Sequence, residues 1–187
     1  MFPEWRWFSI RDGDPIGRAM VNRHYSARHY KDGRRVKLFV GPGEKMVLLT
    51  ADSMALFVWR KFISADGQVG VNCAVFRNEG PELSSLLILE AEQLAWEHWP
   101  GERFYTYINP KKIKSSNPGY CFKKAGWSVC GKTKRGFVIL EKLAPCTRLP
   151  TPLAHGQMAG APVTGLLFQP EGLPVNELVA TPAAICQ

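Results

Sequence analysis

The stretch ELSSLLILEAEQLAWEHW, residues 82–99, constrains the fold more than any other part of this 187-residue chain. Leu83, Leu86, Leu87, Glu90, Leu94 and Glu97 recur at helical spacing, so the pattern predicts one long helix with an apolar stripe and carboxylates along its other side. Everything around it reads as shorter elements. WRWFSI is a first strand, Asp14 before Pro15 starts a helix running towards His24, and SARHYKDGRR is a basic loop. VKLFV, MVLLT with ALFVWRKFI, and VGVNCAVF are β-rich and separated by Gly and Asp turns, which predicts an antiparallel meander. After the long helix, FYTYI (residues 104–108) is a strand, and NPGYCFKKAGW (residues 117–127) is a short helix. Asn117 is read there as the cap, Pro118 as the first helical residue and Gly126 as the left-handed exit. WSVCG and GFVILEK close as a hairpin, giving the order strand, helix, strands, long helix, strand, short helix, two strands.

Composition limits how much chain builds that core. Residues 144–187 hold seven of the fourteen prolines, almost no charge and no periodicity, so the domain is expected at 1–143 with a disordered tail at 144–187. Five cysteines, at 73, 121, 130, 146 and 186, with no C-x-x-C pair, fit neither a disulfide framework nor a zinc knuckle and read as reduced thiols. No metal site is expected. The N-terminus lacks a leader-like apolar core and no apolar run approaches membrane-spanning length, so a cytoplasmic protein without membrane contact is expected. A net charge of +8 points to a polyanionic partner or an anionic cosubstrate.

The element order, with NPGYCFKKAGW before a last pair of strands, resembles the GNAT superfamily of acyl-CoA-dependent N-acyltransferases. A second likeness is narrower: NRHYS (residues 22–26), an Arg at a strand end and then YINP are similar to the Mom-like branch of phage DNA-modification proteins. The resemblance implies an α/β (α+β) fold whose mixed, mostly antiparallel sheet is flanked by helices. It also implies acetyl-CoA as donor, and the Mom-like likeness implies action on DNA that protects it from host restriction. On the cofactor side it points to Gly80, Asn109 and Asn117; on the catalytic side, to Tyr120, His24 and Tyr25. Two positions depart from the family pattern. Only Gly80, followed by Pro81, stands where the family loop has two small residues, and Phe122 occupies the position of a frequent proton-donating Tyr.

The physical chemistry points the same way. A diphosphate favours a helix N-terminus, and RNEGPELSS supplies one with Arg77 before it and the hydroxyls of Ser84 and Ser85 in or near the first turn. Acyl transfer to an amine needs a stabilised oxyanion and an acid for the leaving thiolate. Tyr120 is read as that acid, with Tyr105 and Tyr107, on one face of their strand, as alternatives, and His24 as a base through water. From Lys111 to Lys142 there are nine basic residues and one acid, interleaved with aromatics, a pattern suited to a phosphate backbone and an extruded base. DNA contacts are therefore expected from Arg23, Arg28, Arg34, Arg35, Lys111, Lys112 and Lys114. The reading is an N-acetyltransferase acting on an amine of a modified or unmodified nucleobase in phage DNA. The alternatives are Mom-like adenine modification without acetyl-CoA, a nucleic-acid-binding module on this scaffold, and acetylation of a protein or small amine.

Overall fold

A computed structural model describes residues 6–27 and 37–145. Strands β1 (Trp7–Ile10), β2 (Glu44–Thr50), β3 (Ala55–Lys61) and β4 (Val71–Asn78) pair antiparallel in chain order, with helix α1 (Pro15–Arg23) after β1. The long helix α2 (Ser84–His98) then returns the chain so that β5 (Phe104–Ile108) lies parallel to β4, the crossover that a parallel pair requires. Helix α3 (Tyr120–Lys124) leads into the hairpin of β6 (Ser128–Lys132) and β7 (Val138–Lys142), with β7 inserted against β5. The product is a mixed, mostly antiparallel seven-stranded sheet in the order β1-β2-β3-β4-β5-β7-β6. The element order is the one read from the sequence. No helix among the described residues is long and apolar enough to cross a membrane.

Period-2 alternation sends the strands' apolar residues to two faces. Leu48, Phe57, Trp59, Phe104 and Leu140 pack beneath Leu87, Ile88, Ala91 and Ala95 of α2. Val47, Leu49, Leu56 and Val58 pack with Met20 of α1. The small Ala91 lets a large ring approach α2, and the Trp59 indole N–H donates to the Ala91 carbonyl at 3.2 Å. Asp14 caps α1 as expected, its Oδ1 accepting from the amides of Ile16 (2.9 Å) and Gly17 (3.0 Å).

Three local expectations are corrected. Of VKLFV, residues 37–40 form no strand, because the amides of Phe39 and Val40 donate to Asp12 Oδ1 at 2.8 and 3.1 Å instead of joining a ladder. On α2 the buried face is Leu87, Ile88, Ala91, Glu92 and Ala95, whereas Leu83 and Leu86 are exposed. A carboxylate, Glu92, therefore lies inside, where it accepts from the Trp127 indole and from Lys142 Nζ.

The third concerns NPGYCFKKAGW. The helix starts at Tyr120 rather than Pro118, because Gly119 takes a left-handed φ of 76°. A Cβ on Gly119 would meet Leu140 Cδ1 at 2.8 Å, so any other residue would have to displace that methyl as well as adopt the left-handed conformation. Asn117 does not cap; its Oδ1 accepts from Lys123 Nζ. The exit behaves as read. Gly126 has φ 86°, its amide donates to the Lys123 carbonyl, and the Trp127 amide donates to the Phe122 carbonyl, both at 3.0 Å. This is the paired hydrogen-bond pattern of a Schellman turn, and the Phe122 and Trp127 rings meet edge-on at 5.0 Å across it.

Candidate functional site

The parallel pairing of β4 with β5 covers only Val71–Phe104, Asn72–Tyr105 and Cys73–Thr106. Thr106 Oγ1 closes it by donating to the Cys73 carbonyl at 2.9 Å, and beyond that point the strands part. At the same place β4 carries a bulge: Trp59 pairs with Cys73 and Val58 with Val75, so Ala74 has no partner residue on β3. The fork opens a cleft of about 590 Å³ between the ends of β4 and β5, roofed by the exit of α1 and by α3. Its walls are apolar or uncharged polar: Val75, Ile108, Phe122, Thr106 and Asn117 are typical.

Of the residues singled out in the sequence, His24, Tyr25, Asn109, Asn117 and Tyr120 converge on this cleft. Burial, and after it the Arg77 guanidinium, lowers the His24 pKa to about 4, so the ring is neutral at pH 7. Its Nδ1 accepts from the Ser26 amide at 3.3 Å and lies 2.7 Å from Ser26 Oγ, which leaves the proton on Nε2. A histidine in that state donates from its free nitrogen. Tyr25 lies against His24 with ring centroids 4.2 Å apart, and burial raises its phenol pKa, against the opposing effect of the Asn109 backbone. Tyr120 is 52% exposed at the mouth, which the late start of α3 makes possible, and Lys124 Nζ lies 5.6 Å from its ring centroid. Phe122, only 5% exposed, fills the floor against Phe76 and Trp127.

The residues expected at a diphosphate are arranged differently. Arg77 donates through Nε to Glu79 and through Nη1 to the Arg23 carbonyl at 2.7 Å, so its guanidinium faces the exit of α1. Arg23 takes the same Glu79 carboxylate with two N–H groups, at 2.8 and 2.7 Å. Held by both arginines, Glu79 has its pKa lowered to about 2. The Gly80 amide donates to Asn78 Oδ1 at 2.9 Å, and Asn78 Nδ2 donates to the Glu82 carbonyl and to Ser84 Oγ. Ser84 and Ser85 open α2, whose N-cap, Leu83, makes no side-chain cap. The loop before them carries Glu79, Pro81 and Glu82. The fork between β4 and β5 has no charged side chain in its lining, which is the chemistry an acyl-pantetheine arm would need. The loop before α2 does not fit a diphosphate, since one amide is spent internally and two carboxylates flank it.

Lys111, Lys112 and Lys114 are exposed on the loop from β5 to α3, with no ion-pair partner among the described residues. Asn109 shapes that loop, its Oδ1 accepting from the Lys111 amide and its carbonyl from the Lys112 amide. Arg28, Arg34 and Arg35 lie outside the described residues. Two residues that sequence reasoning missed are Ser64 and Asp66 of the turn between β3 and β4. Asp66 Oδ1 accepts from the Tyr107 hydroxyl at 2.6 Å, 41 residues away; period 2 placed Tyr107 on a face, but nothing local announced its partner. No group of three or more His, Cys, Asp or Glu among the described residues is placed to hold a metal ion. No protein-family model matches this sequence and no curated protein matches it, so the functional reading rests on the site itself.

Proposed function

We propose that this chain is an acyltransferase that moves an acyl group, acetyl in the simplest case, from acyl-CoA to an amine of a nucleobase in DNA, a modification that would shield the DNA from restriction. The observation that carries this reading is the uncharged cleft at the fork of β4 and β5. A cationic alkylamine would have to leave water for walls that offer it no carboxylate among the described residues, at a large desolvation cost. The exocyclic amino group of a nucleobase, conjugated with its ring, arrives neutral on a flat system suited to apolar walls and to stacking on Tyr25 or Tyr120. The exposed lysines of the loop from β5 to α3 supply the phosphate contacts such a substrate needs.

Acyl-CoA, when bound, supplies an acyl group on a thioester, whose C–S bond breaks as the C–N bond forms, so that the amine loses one proton and the sulfur gains one. The Tyr25 phenol lines the cleft and, like any tyrosine at neutral pH, carries a proton it can give. His24 offers Nε2–H as a second donor at the α1 side of the cleft. Ala74, the residue of the β4 bulge with no opposite number on β3, lines the same cleft. Mass spectrometry of nucleosides from DNA coexpressed with the protein tests the proposal. One nucleoside heavier by the acyl group, lost in Tyr25→Phe, is expected; an unchanged digest overturns it.

A second reading, a nucleic-acid-binding module on the same scaffold, is favoured by the loop before α2, with its two carboxylates and committed Gly80 amide. Thermal unfolding separates the two, because a ligand that binds only the folded state raises the melting temperature by mass action. Stabilisation by acyl-CoA belongs to the transferase. Stabilisation by DNA alone belongs to the binding module.

A further inference from the structure

Charge is distributed unevenly around the cleft. Beside the exit of α1, the guanidiniums of Arg23 and Arg77 both spend N–H groups on the Glu79 carboxylate, and Arg77 gives another to the Arg23 carbonyl. That side is a closed clamp. Beside α3 the balance is different, because no Asp or Glu stands between Phe104 and Leu140 while Lys111, Lys112, Lys114, Lys123 and Lys124 do. None of these lysines has an ion-pair partner among the described residues.

Two of the five are tied to residues that line the cleft. Lys123 Nζ donates to Asn117 Oδ1, and Asn117 is itself fixed, its amide donating to Ser115 Oγ and its carbonyl accepting from the Tyr120 amide, both at 3.1 Å. Lys124 Nζ lies 5.6 Å from the centroid of the Tyr120 ring, within reach of a cation–π contact. An ammonium has three N–H groups, so Lys123 keeps two after serving Asn117. The side chains of Lys111, Lys112 and Lys114 make no hydrogen bond among the described residues, and all three are exposed. The cleft thus has an uncharged lining with two anchored cations at its α3 edge.

We infer that Lys123 and Lys124 seat the phosphates of the acyl donor, so that acyl-CoA enters the fork from the α3 side with its thioester leading. The inference rests on the transferase reading above and names the residues that hold the charged end of its donor. Acyl-CoA is an uncharged arm with a thioester at one end and phosphates at the other, so its site needs an uncharged channel that ends in cations free of acids. The α3 side meets that requirement. The loop before α2 does not, since Glu79 and Glu82 stand there and the Gly80 amide is spent on Asn78. Anchoring matters because a cation already held at the mouth loses little freedom when a phosphate arrives. Lys111, Lys112 and Lys114 remain for a DNA backbone.

The test is calorimetric titration of the full-length protein with acetyl-CoA and with S-acetylpantetheine, which has the same arm and thioester but no phosphate. Replacing Lys123 and Lys124 together by Ala is expected to weaken acetyl-CoA about tenfold and to leave S-acetylpantetheine unchanged, because only the charge-assisted contacts are lost. Replacing both by Arg should keep the wild-type affinity. Should the double Ala variant lose its cooperative unfolding, Lys124→Ala alone, at an exposed position, should still weaken acetyl-CoA about threefold. An acetyl-CoA affinity unchanged in the double variant overturns the inference and leaves the transferase reading standing. A wild type that binds no acetyl-CoA overturns that reading and the inference with it. A double variant that keeps acetyl-CoA but binds duplex DNA about tenfold more weakly assigns both lysines to the DNA backbone, against the inference. An equal loss for acetyl-CoA and S-acetylpantetheine would show that the mouth lost its shape rather than its charge, and also counts against it.

Discussion

Helices α1 and α3 both border the cleft, and the exit of each is fastened by a glutamate in an opposite way. At the exit of α1, Glu79 lies near the surface between the guanidiniums of Arg23 and Arg77, which lower its pKa to about 2. At the exit of α3, Glu92 is buried, and desolvation raises its pKa against the opposing pull of Lys142 and Trp127. Lys142 Nζ goes on to donate to the Ala125 carbonyl, one of the groups a helix end leaves without an intrahelical partner. Solvent makes the difference. Where water remains, added cations simply favour the carboxylate; where it is excluded, the carboxylate survives only because two donors replace the water it lost.

That contrast is broken most strongly at the buried site. Glu92→Ala would leave the Lys142 ammonium and the Trp127 indole without their partner, and urea unfolding should show a loss of about 3–5 kcal/mol. A loss under about 1 kcal/mol would mean that water enters and replaces the carboxylate. Gly126→Ala tests the same exit through its backbone. The space around Gly126 is open, with Lys142 Nζ 3.6 Å from where an alanine Cβ would sit, so the cost is that of φ 86° alone. About 1–2 kcal/mol is expected for a left-handed alanine. A neutral result would show the turn relaxing out of that conformation.

The surface clamp gives the smallest effect and a distinctive pH signature. Because the folded-state pKa of Glu79 is lowered from 4.5 to about 2, its contribution is present above pH 4.5 and lost as pH falls towards 2. Glu79→Gln should therefore lower stability slightly at pH 7 and converge with the wild type as pH falls towards 2, which flattens the acid limb over that window. Glu92 carries the opposite sign: a raised folded-state pKa makes acidification through its range favour the folded form. An acid limb unchanged in Glu79→Gln would show that the arginines re-pair with solvent or with each other's neighbours at no cost.

What could be read in the sequence was local. The Asp14 cap lies two and three residues from the amides it takes, FYTYI carries its own β-propensity, and Gly126 before Trp127 signals its turn unaided. What could not be read depends on partners far along the chain. Asp12 takes the amides of residues 39 and 40, which unmakes a strand that VKLFV favours by composition. Glu92 looks like a surface residue until Trp127 and Lys142 are beside it. Arg77 stands where a phosphate ligand is expected, but the carbonyl it binds belongs to residue 23. At the site, convergence of His24, Tyr25 and Tyr120 followed from motifs, whereas the turn carrying Ser64 and Asp66 joins it only through the long reach of Tyr107.

The three-pair seam between β4 and β5 has a consequence for how the molecule assembles. Strands β2, β3 and β4 meet through short connections, so their contacts close small loops, whereas the seam joins residues 71–73 to residues 104–106 and must wait for α2 to span the interval. Closing that larger loop is entropically dearer and brings only three residue pairs in return. We predict that in pulsed hydrogen exchange during refolding the amides of β2 and β3 gain protection before those of β5. Earlier protection of β5 would place the nucleus in the C-terminal half. In the expected order the cleft between β4 and β5 forms only after the meander, and any species that stalls on the way presents the meander without it.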